Sequence, residues 1–383
     1  MEFDFLRPLQ GEIIEYINEI TTQQLGSKII LNTLEVFPDL DKIKIAIVGV
    51  LENRADKNAF ANVDLLSVRK ELYNLFPGNW VTDIADLGDI LPGDSVTDTY
   101  FAVKNVVSSL LKKKIIPIII GGSQDLTYAI YRGYDQLEQM VNLVAIDNKF
   151  DFGKDDEVMT ASSYLTQIII DEPNNLFNYS NLGYQTYYNS QEEIDLIEKL
   201  YFDAYRLGEV SNNSAIAEPV FRDADLVSID MNSIKSADSG NVVSFEPNGF
   251  NGKEICTLSR YAGLSDKVSS LGIFNHTNNA QESKLIAQII WYFMEGFHYR
   301  SNEYPFGSKE NYLKYIVPLE EQELVFYKSD KTGRWWIEIP FISNANNKLK
   351  RNTLLPCSYN EYLLACDQEI PERWWKAQRK NTL

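Results

Sequence analysis

Short apolar runs alternate with longer amphipathic stretches along this chain. Residues 44–50 (Lys44-Ile45-Ala46-Ile47-Val48-Gly49-Val50), 115–120, 143–146 and 226–229 are nearly continuous in Ile, Val, Leu and Ala. Such runs mark strands buried on both faces, as in parallel sheets. Residues 64–75, 97–112, 126–137, 191–206 and 280–297 instead have the amphipathic pattern of helices with one face packed inward. The alternation predicts βαβ units, and therefore an α/β fold: a three-layer α/β/α domain with a mostly parallel sheet. Three of the runs stop at Gly121, Asp147 and Asp230. Strand ends of this kind are where open parallel sheets place ligand-binding residues.

The texture changes near residue 300. From Ser301 onward there are twelve Lys and Arg against eleven Asp and Glu, while the first 300 residues hold 24 against 43. The tail also carries Trp335, Trp336, Trp374 and Trp375. Residues 323–328 and 334–340, separated by Ser329-Asp330-Lys331-Thr332-Gly333, read as a β-hairpin with a glycine in its turn. The expected organisation is therefore a domain over residues 1–300 and an appended aromatic-rich β-hairpin module over 301–383. The tryptophans are expected mainly to pack inside the module. Their sharper role would be to anchor a protein partner or a second copy of the chain.

With 383 residues, 44% of them hydrophobic and 12% aromatic, the chain has material for a large core. Its formal charge of −18 argues against nucleic acid and anionic membrane surfaces, both polyanions, and leaves cations and basic proteins as electrostatically favoured partners. The segment 1–10 contains Glu2, Asp4 and Arg7 and lacks the apolar centre of a signal peptide. No apolar run is long enough for membrane insertion. Cys256, Cys357 and Cys366 are too few for a disulfide framework. Cys357 and Cys366 could pair, but a cytoplasmic location with reduced thiols is expected.

Candidate chemistry gathers in three strand-end segments. They are Ile120-Gly121-Gly122-Ser123-Gln124-Asp125, Ile146-Asp147-Asn148-Lys149-Phe150-Asp151 and Ser228-Ile229-Asp230-Met231-Asn232, with Asp238 shortly after. In order and spacing they resemble the motifs of the ureohydrolase family (arginase, agmatinase, formimidoylglutamase): Gly-Gly-Asp-His, Asp-Ala-His-x-Asp and Ser-x-Asp-x-Asp. Asp86-Leu87-Gly88-Asp89, the segment 60–70 with Arg69, Asn251-Gly252-Lys253-Glu254 and Gly272-Ile273-Phe274-Asn275 are weaker echoes of the same family. The resemblance covers roughly residues 40 to 300. It implies an arginase-like fold and trimeric or hexameric assembly. It further implies a centre in which two Mn²⁺ ions about 3.5 Å apart activate a water toward a guanidinium-type carbon.

The resemblance places six ligand positions at Gln124, Asp147, Lys149, Asp151, Asp230 and Asn232, and substrate-pocket positions at Asn275 and His276. Gln124 and Lys149 stand where the family has histidine, and Asn232 where it has aspartate. Amides bring no charge to a cation, and an ammonium group repels one. The expectation is a catalytically inactive member without cofactor, in which Lys149 forms ion pairs with Asp147, Asp151 and Asp230. Such a chain would serve as a protein-interaction or ligand-binding component, or as a sensor with an acidic pocket for a cation. The alternative is a C–N hydrolase of an amidino or formimidoyl compound, working without metal or through one divalent cation, Mn²⁺ or Mg²⁺, on Asp147, Asp151 and Asp230.

Other chemistries find little support. A serine or cysteine triad would need His276 or His298, the only histidines present. His298 reads as a packing residue at a helix end and Cys256 as a small core residue. Gly121-Gly122 is not followed by the Gly-Lys-Ser/Thr of a phosphate loop. Asp125 is expected to be exposed and to cap the helix that begins at Leu126.

Overall fold

The computed structural model describes residues 3–56, 63–80, 83–137, 139–154, 158–303, 309–320, 322–339 and 354–382. Met1, Glu2, Phe60 and Pro340, invoked above, lie outside them. Ten strands form one sheet: β1 (Leu6–Arg7), β2 (Ile30–Leu31), β3 (Ile45–Val50), β4 (Ile84–Ile90), β5 (Ile116–Ile120), β6 (Val141–Ile146), β7 (Leu176–Tyr184), β8 (Asp203–Arg206), β9 (Leu226–Asp230) and β10 (Ser270–Phe274). Their order is β1-β4-β3-β5-β10-β9-β6-β7-β8, with β2 also on β4. The β1–β4 pair is antiparallel and the other pairings are parallel.

The continuous apolar runs have a direct cause. Successive strand residues point to opposite faces, and both faces are covered. Ile45 and Ile47 enter one core with helices 66–74, 217–223, 252–264 and 280–298, while Ala46, Val48 and Val50 enter a second core with helices 96–112, 126–132, 164–170 and 191–199. The three-layer α/β/α architecture with a mostly parallel sheet expected from sequence is the one observed.

Two helices are shorter than their patterns suggested. The segment 191–206 splits into a helix ending at Lys199 and the edge strand β8, because Tyr201 adopts a positive φ of 55° that stops the helix and redirects the chain onto β7. The helix beginning at Leu126 ends at Arg132, just before Gly133. Strand β7 had no sequence expectation: Asn178, Ser180 and Asn181 interrupt its apolar character, and all three are buried with hydrogen-bond partners.

A second, antiparallel sheet follows: β11 (Tyr312–Pro318), β12 (Glu323–Ser329), β13 (Trp335–Glu338) and β14 (Leu354–Cys357), with helices Tyr359–Cys366 and Glu372–Thr382. The expected hairpin is β12–β13, with Phe326 opposite Ile337. Trp335, Trp336 and Trp374 are buried within this unit, so they cannot serve as surface anchors; of the four, only Trp375 is exposed, against Tyr201. Cys357 is buried and Cys366 exposed, and both are free thiols. No helix among the described residues is long and apolar enough to cross a membrane.

Arg222, on helix 217–223, fastens this unit to the main domain. Its buried guanidinium donates to the carbonyls of Trp335 (3.0 Å) and Cys357 (2.8 Å), lies 4.8 Å from the centre of the Trp336 ring, and pairs with Glu218 at 2.9 Å. On the other side, Lys376 donates to the Phe202 carbonyl, and Lys380 reaches Asn178 on β7. Removing the guanidinium takes a charged donor from two carbonyls of the second sheet and the cation from Glu218. Arg222→Met is expected to cost on the order of 3 kcal/mol in urea titration and to red-shift tryptophan emission as Trp336 gains water.

Candidate functional site

Four neighbouring strands, in the order β5-β10-β9-β6, deliver their carboxyl ends to one rim, the place where ligands bind in open parallel sheets. After β5 the chain turns sharply through Gly121 and Gly122, with φ of 96° and 73°. A Cβ on Gly122 would lie 2.2 Å from the Glu52 carbonyl oxygen, so glycine is required there. The turn buries Gln124, whose amide donates to Ser228 Oγ on β9 at 2.9 Å. Asp125 is buried rather than exposed and makes no side-chain cap; its carboxylate accepts from the Tyr100 hydroxyl at 2.7 Å, because the turn directs it back against helix 96–112.

Asp147, Asp151 and Asp230 converge, all buried. Asp147 sits at the end of β6, and its Oδ1 accepts from the Lys149 backbone N–H at 2.9 Å. Burial raises its pKa well above the carboxylate range, and the charges of Asp151 and Asp230 add to the effect. Burial and then Asp230 push Asp151 up to about 7, against the opposing pull of a hydrogen bond with Asp147 and the charge of Lys149. Asp230 is pushed up to about 6 by burial, although it accepts from Asn232 N at 2.7 Å and Asn275 Nδ2 at 3.0 Å.

Lys149 departs from expectation. Its side chain is exposed, forms no ion pair with the three aspartates, and places its ammonium 5.5 Å from the centre of the Tyr188 ring. The long side chain keeps its charge in water and acts on Asp151 and Asp230 only at a distance. The Asn232 carbonyl accepts from Asn148 Nδ2 at 3.0 Å. Asp238 accepts from Gly252 N at 2.6 Å and so holds the start of helix 252–264, whose cap is the Asn251–Glu254 box. His276 lines the cleft, with both ring nitrogens buried and without hydrogen-bond partners; burial lowers its pKa to about 4, so the ring is neutral. His298 packs by Trp80, and burial pushes the Cys256 thiol up to about 12. Neither enters the cleft.

The cleft over this rim has a volume of about 680 Å³. Besides the strand-end residues it is walled by Asn53 and Asp56 after β3, by Tyr188, and by a loop running from Asn241 to Glu246. None of these was singled out from sequence. The available signal was the density of Asn, Ser and Tyr in residues 174–190, which pin the rim: Asn189 accepts from Phe150 N and Asn181 donates to the Lys149 carbonyl. Among the described residues, no group of three or more His, Cys, Asp and Glu side chains is arranged to hold a metal ion.

The raised pKa of Asp151 fixes the sign of a pH effect. Its ordinary value is 3.8 and its value in the fold about 7, so the native state pays for ionisation as pH rises through that window. Asp151→Asn removes the charge and suits the residue's positive φ of 56°. It is expected to raise the melting temperature in metal-free buffer above about pH 7 and to change it little below about pH 4. Lys149→Met, at an exposed position, is expected to change stability by no more than about 0.5 kcal/mol.

The Arginase family model matches residues 60–294, more than half of the chain. Solved structures with the same fold include Trypanosoma cruzi formiminoglutamase with Mn²⁺ (TM-score 0.62, 17% identity, 70% of this chain and 98% of that one). Bacillus subtilis formimidoylglutamase gives 0.62 and 17%, over 69% and 90% of the two chains. Agmatine ureohydrolase of Thermoplasma volcanium gives 0.57 and 19%, over 74% and 97%. No curated protein matches by sequence. With its strand-end motifs on adjacent parallel strands and the family match running through all of them, this chain belongs to the arginase family.

Proposed function

We propose that this chain is a non-hydrolytic member of the arginase family whose strand-end cleft binds a cationic ligand instead of turning one over. The observation that carries the reading is the set of groups at the six ligand positions. The Gln124 amide nitrogen is engaged by Ser228, Lys149 presents an ammonium group turned to solvent, and Asn232 presents an amide. Two Mn²⁺ ions need charged oxygens and imidazoles, so these donors do not fit them. Among the described residues the buried Cys256 does not line the cleft, and Asn275 brings only an amide to it. Asp56, Asp151, Asp230 and Glu246 line the cleft against Lys149, which favours a cation.

A second reading is hydrolysis of an amidino or formimidoyl compound, either without metal or through one divalent cation, Mn²⁺ or Mg²⁺, on Asp147, Asp151 and Asp230. The convergence of those three carboxylates favours it.

The two readings separate in the tube. With or without added Mn²⁺, arginine, agmatine, guanidinobutyrate and formimidoylglutamate are expected to yield no urea, formamide or ammonia above background, while n-butylamine raises the melting temperature. Turnover that vanishes in Asp230→Ala would replace the first reading with the second. Restoring the family's donors by Gln124→His, Lys149→His and Asn232→Asp together is expected to make the melting temperature rise with Mn²⁺, an effect the parent chain lacks.

A further inference from the structure

We propose that the cleft mouth docks an extended segment of a partner protein, whose basic side chain enters the acidic cleft while its apolar neighbours lie on the loop of residues 241–246. The inference rests on the cleft being a binding site rather than a hydrolytic one. Three apolar side chains stand on that loop in water: Val242, Val243 and Phe245 are 83%, 57% and 69% exposed. Hydrogen bonds hold the loop, with Asn241 Nδ2 donating to Asn232 Oδ1 at 3.4 Å. Asn241 Oδ1 accepts from Val243 N and Ser244 N, each at 3.0 Å. Glu246 N donates to Ser236 Oγ at 2.7 Å, and its carboxylate accepts from the Tyr188 hydroxyl at 2.7 Å. A fixed loop that displays consecutive apolar groups beside a charged cavity has the composition of a recognition rim.

The cavity supplies the complementary half. Asp151 and Asp230 lie at its floor and Glu246 at its edge. His276 stands in its wall as a neutral ring, which does not repel a cation. An ammonium or guanidinium group relieves the repulsion among the carboxylates. A free small cation would use the cavity alone and leave the apolar rim in water. A polypeptide covers both, and an extended one presents a basic residue downward with apolar neighbours alongside.

The test is an array of capped heptapeptides with Lys, Arg or Gln at the centre and mixed Leu, Phe, Ala and Ser at the flanks, probed with labelled full-length protein. Lys- or Arg-centred spots with Leu or Phe flanks are expected to retain about ten-fold more protein than Gln-centred ones. Val243→Ser with Phe245→Ser should abolish the preference for apolar flanks but leave the thermal shift with n-butylamine intact. Asp230→Asn, checked for folding by its melting curve, should abolish the preference for a basic centre. Equal retention of Gln-centred peptides, or an unchanged flank preference in the rim variant, overturns the proposal. A blank array with a preserved n-butylamine shift overturns the partner but keeps the cation cleft, whereas loss of both overturns the cleft reading as well.

Discussion

Parallel strands deliver their carboxyl ends to one rim, and here that rim carries three buried aspartates, of which Asp230 raises the pKa of both Asp147 and Asp151. In a two-metal hydrolase such charges are the purpose of the site, because cations neutralise them. Here two of them also do local structural work. Asp147 accepts the backbone N–H two residues on, and Asp230 does the same for Asn232, so both close the turn that ends their strand. Replacing either with an apolar residue would leave a backbone donor without its partner. Retention of the carboxylates therefore has a physical cause independent of any ion.

The rule that a buried charge must be paired explains the two arginines deepest in the molecule. Arg69 bridges Asp86 (2.9 Å) and Asp89 (2.8 Å), and Tyr73 donates to Asp86 as well. This network ties helix 66–74 to β4 and accounts for the Asp-Leu-Gly-Asp segment noted in the sequence: its acids hold a guanidinium, away from the cleft. Arg222 solves a different problem. Its partners are mostly carbonyls of the second sheet, so it links the core of the main domain to that of the C-terminal unit. An exposed aromatic-rich tail was one reading of residues 301–383. The structure instead buries most of its tryptophans and lays its last helix along the β7–β8 side of the sheet.

What sequence made legible follows from burial. The central strands β3, β5, β6 and β9 are covered on both faces, so their residues are almost all apolar and stand out. Strands β7 and β8 lie near the margin, where Asn178, Ser180 and Asp203 bond to one another in buried polar contacts that mimic a loop's composition. The strand-end motifs were legible because residue order along a strand fixes which side chain reaches the rim. Side-chain direction beyond the rim was not. Lys149 was expected inside because its position is a ligand position, yet four methylenes let its charge reach water, and hydration outweighs an ion pair in a desolvated pocket. Asp125 failed in the opposite sense: next to a helix start it resembles a cap, but the glycine turn ahead of it rotates it inward to Tyr100.

The amides around the rim bind its segments together. Gln124, at a position where the family resemblance implies a ligand imidazole, donates to Ser228, which Thr127 also contacts at 2.7 Å. Asn275 donates to Asp230 and accepts from the Gln124 backbone, so it ties β10 to the segments on either side. Asn232 bonds through its carbonyl to Asn148 and through its side chain to Asn241, joining the β9 end to the β6 end and to the rim loop. Each new amide can both donate and accept, whereas a ligand histidine or carboxylate facing an ion would be committed to that ion. These amides tie the ends of β5, β6, β9 and β10 to one another, while Gln124 Oε1 and Asp147 Oδ2 stay buried without hydrogen-bond partners.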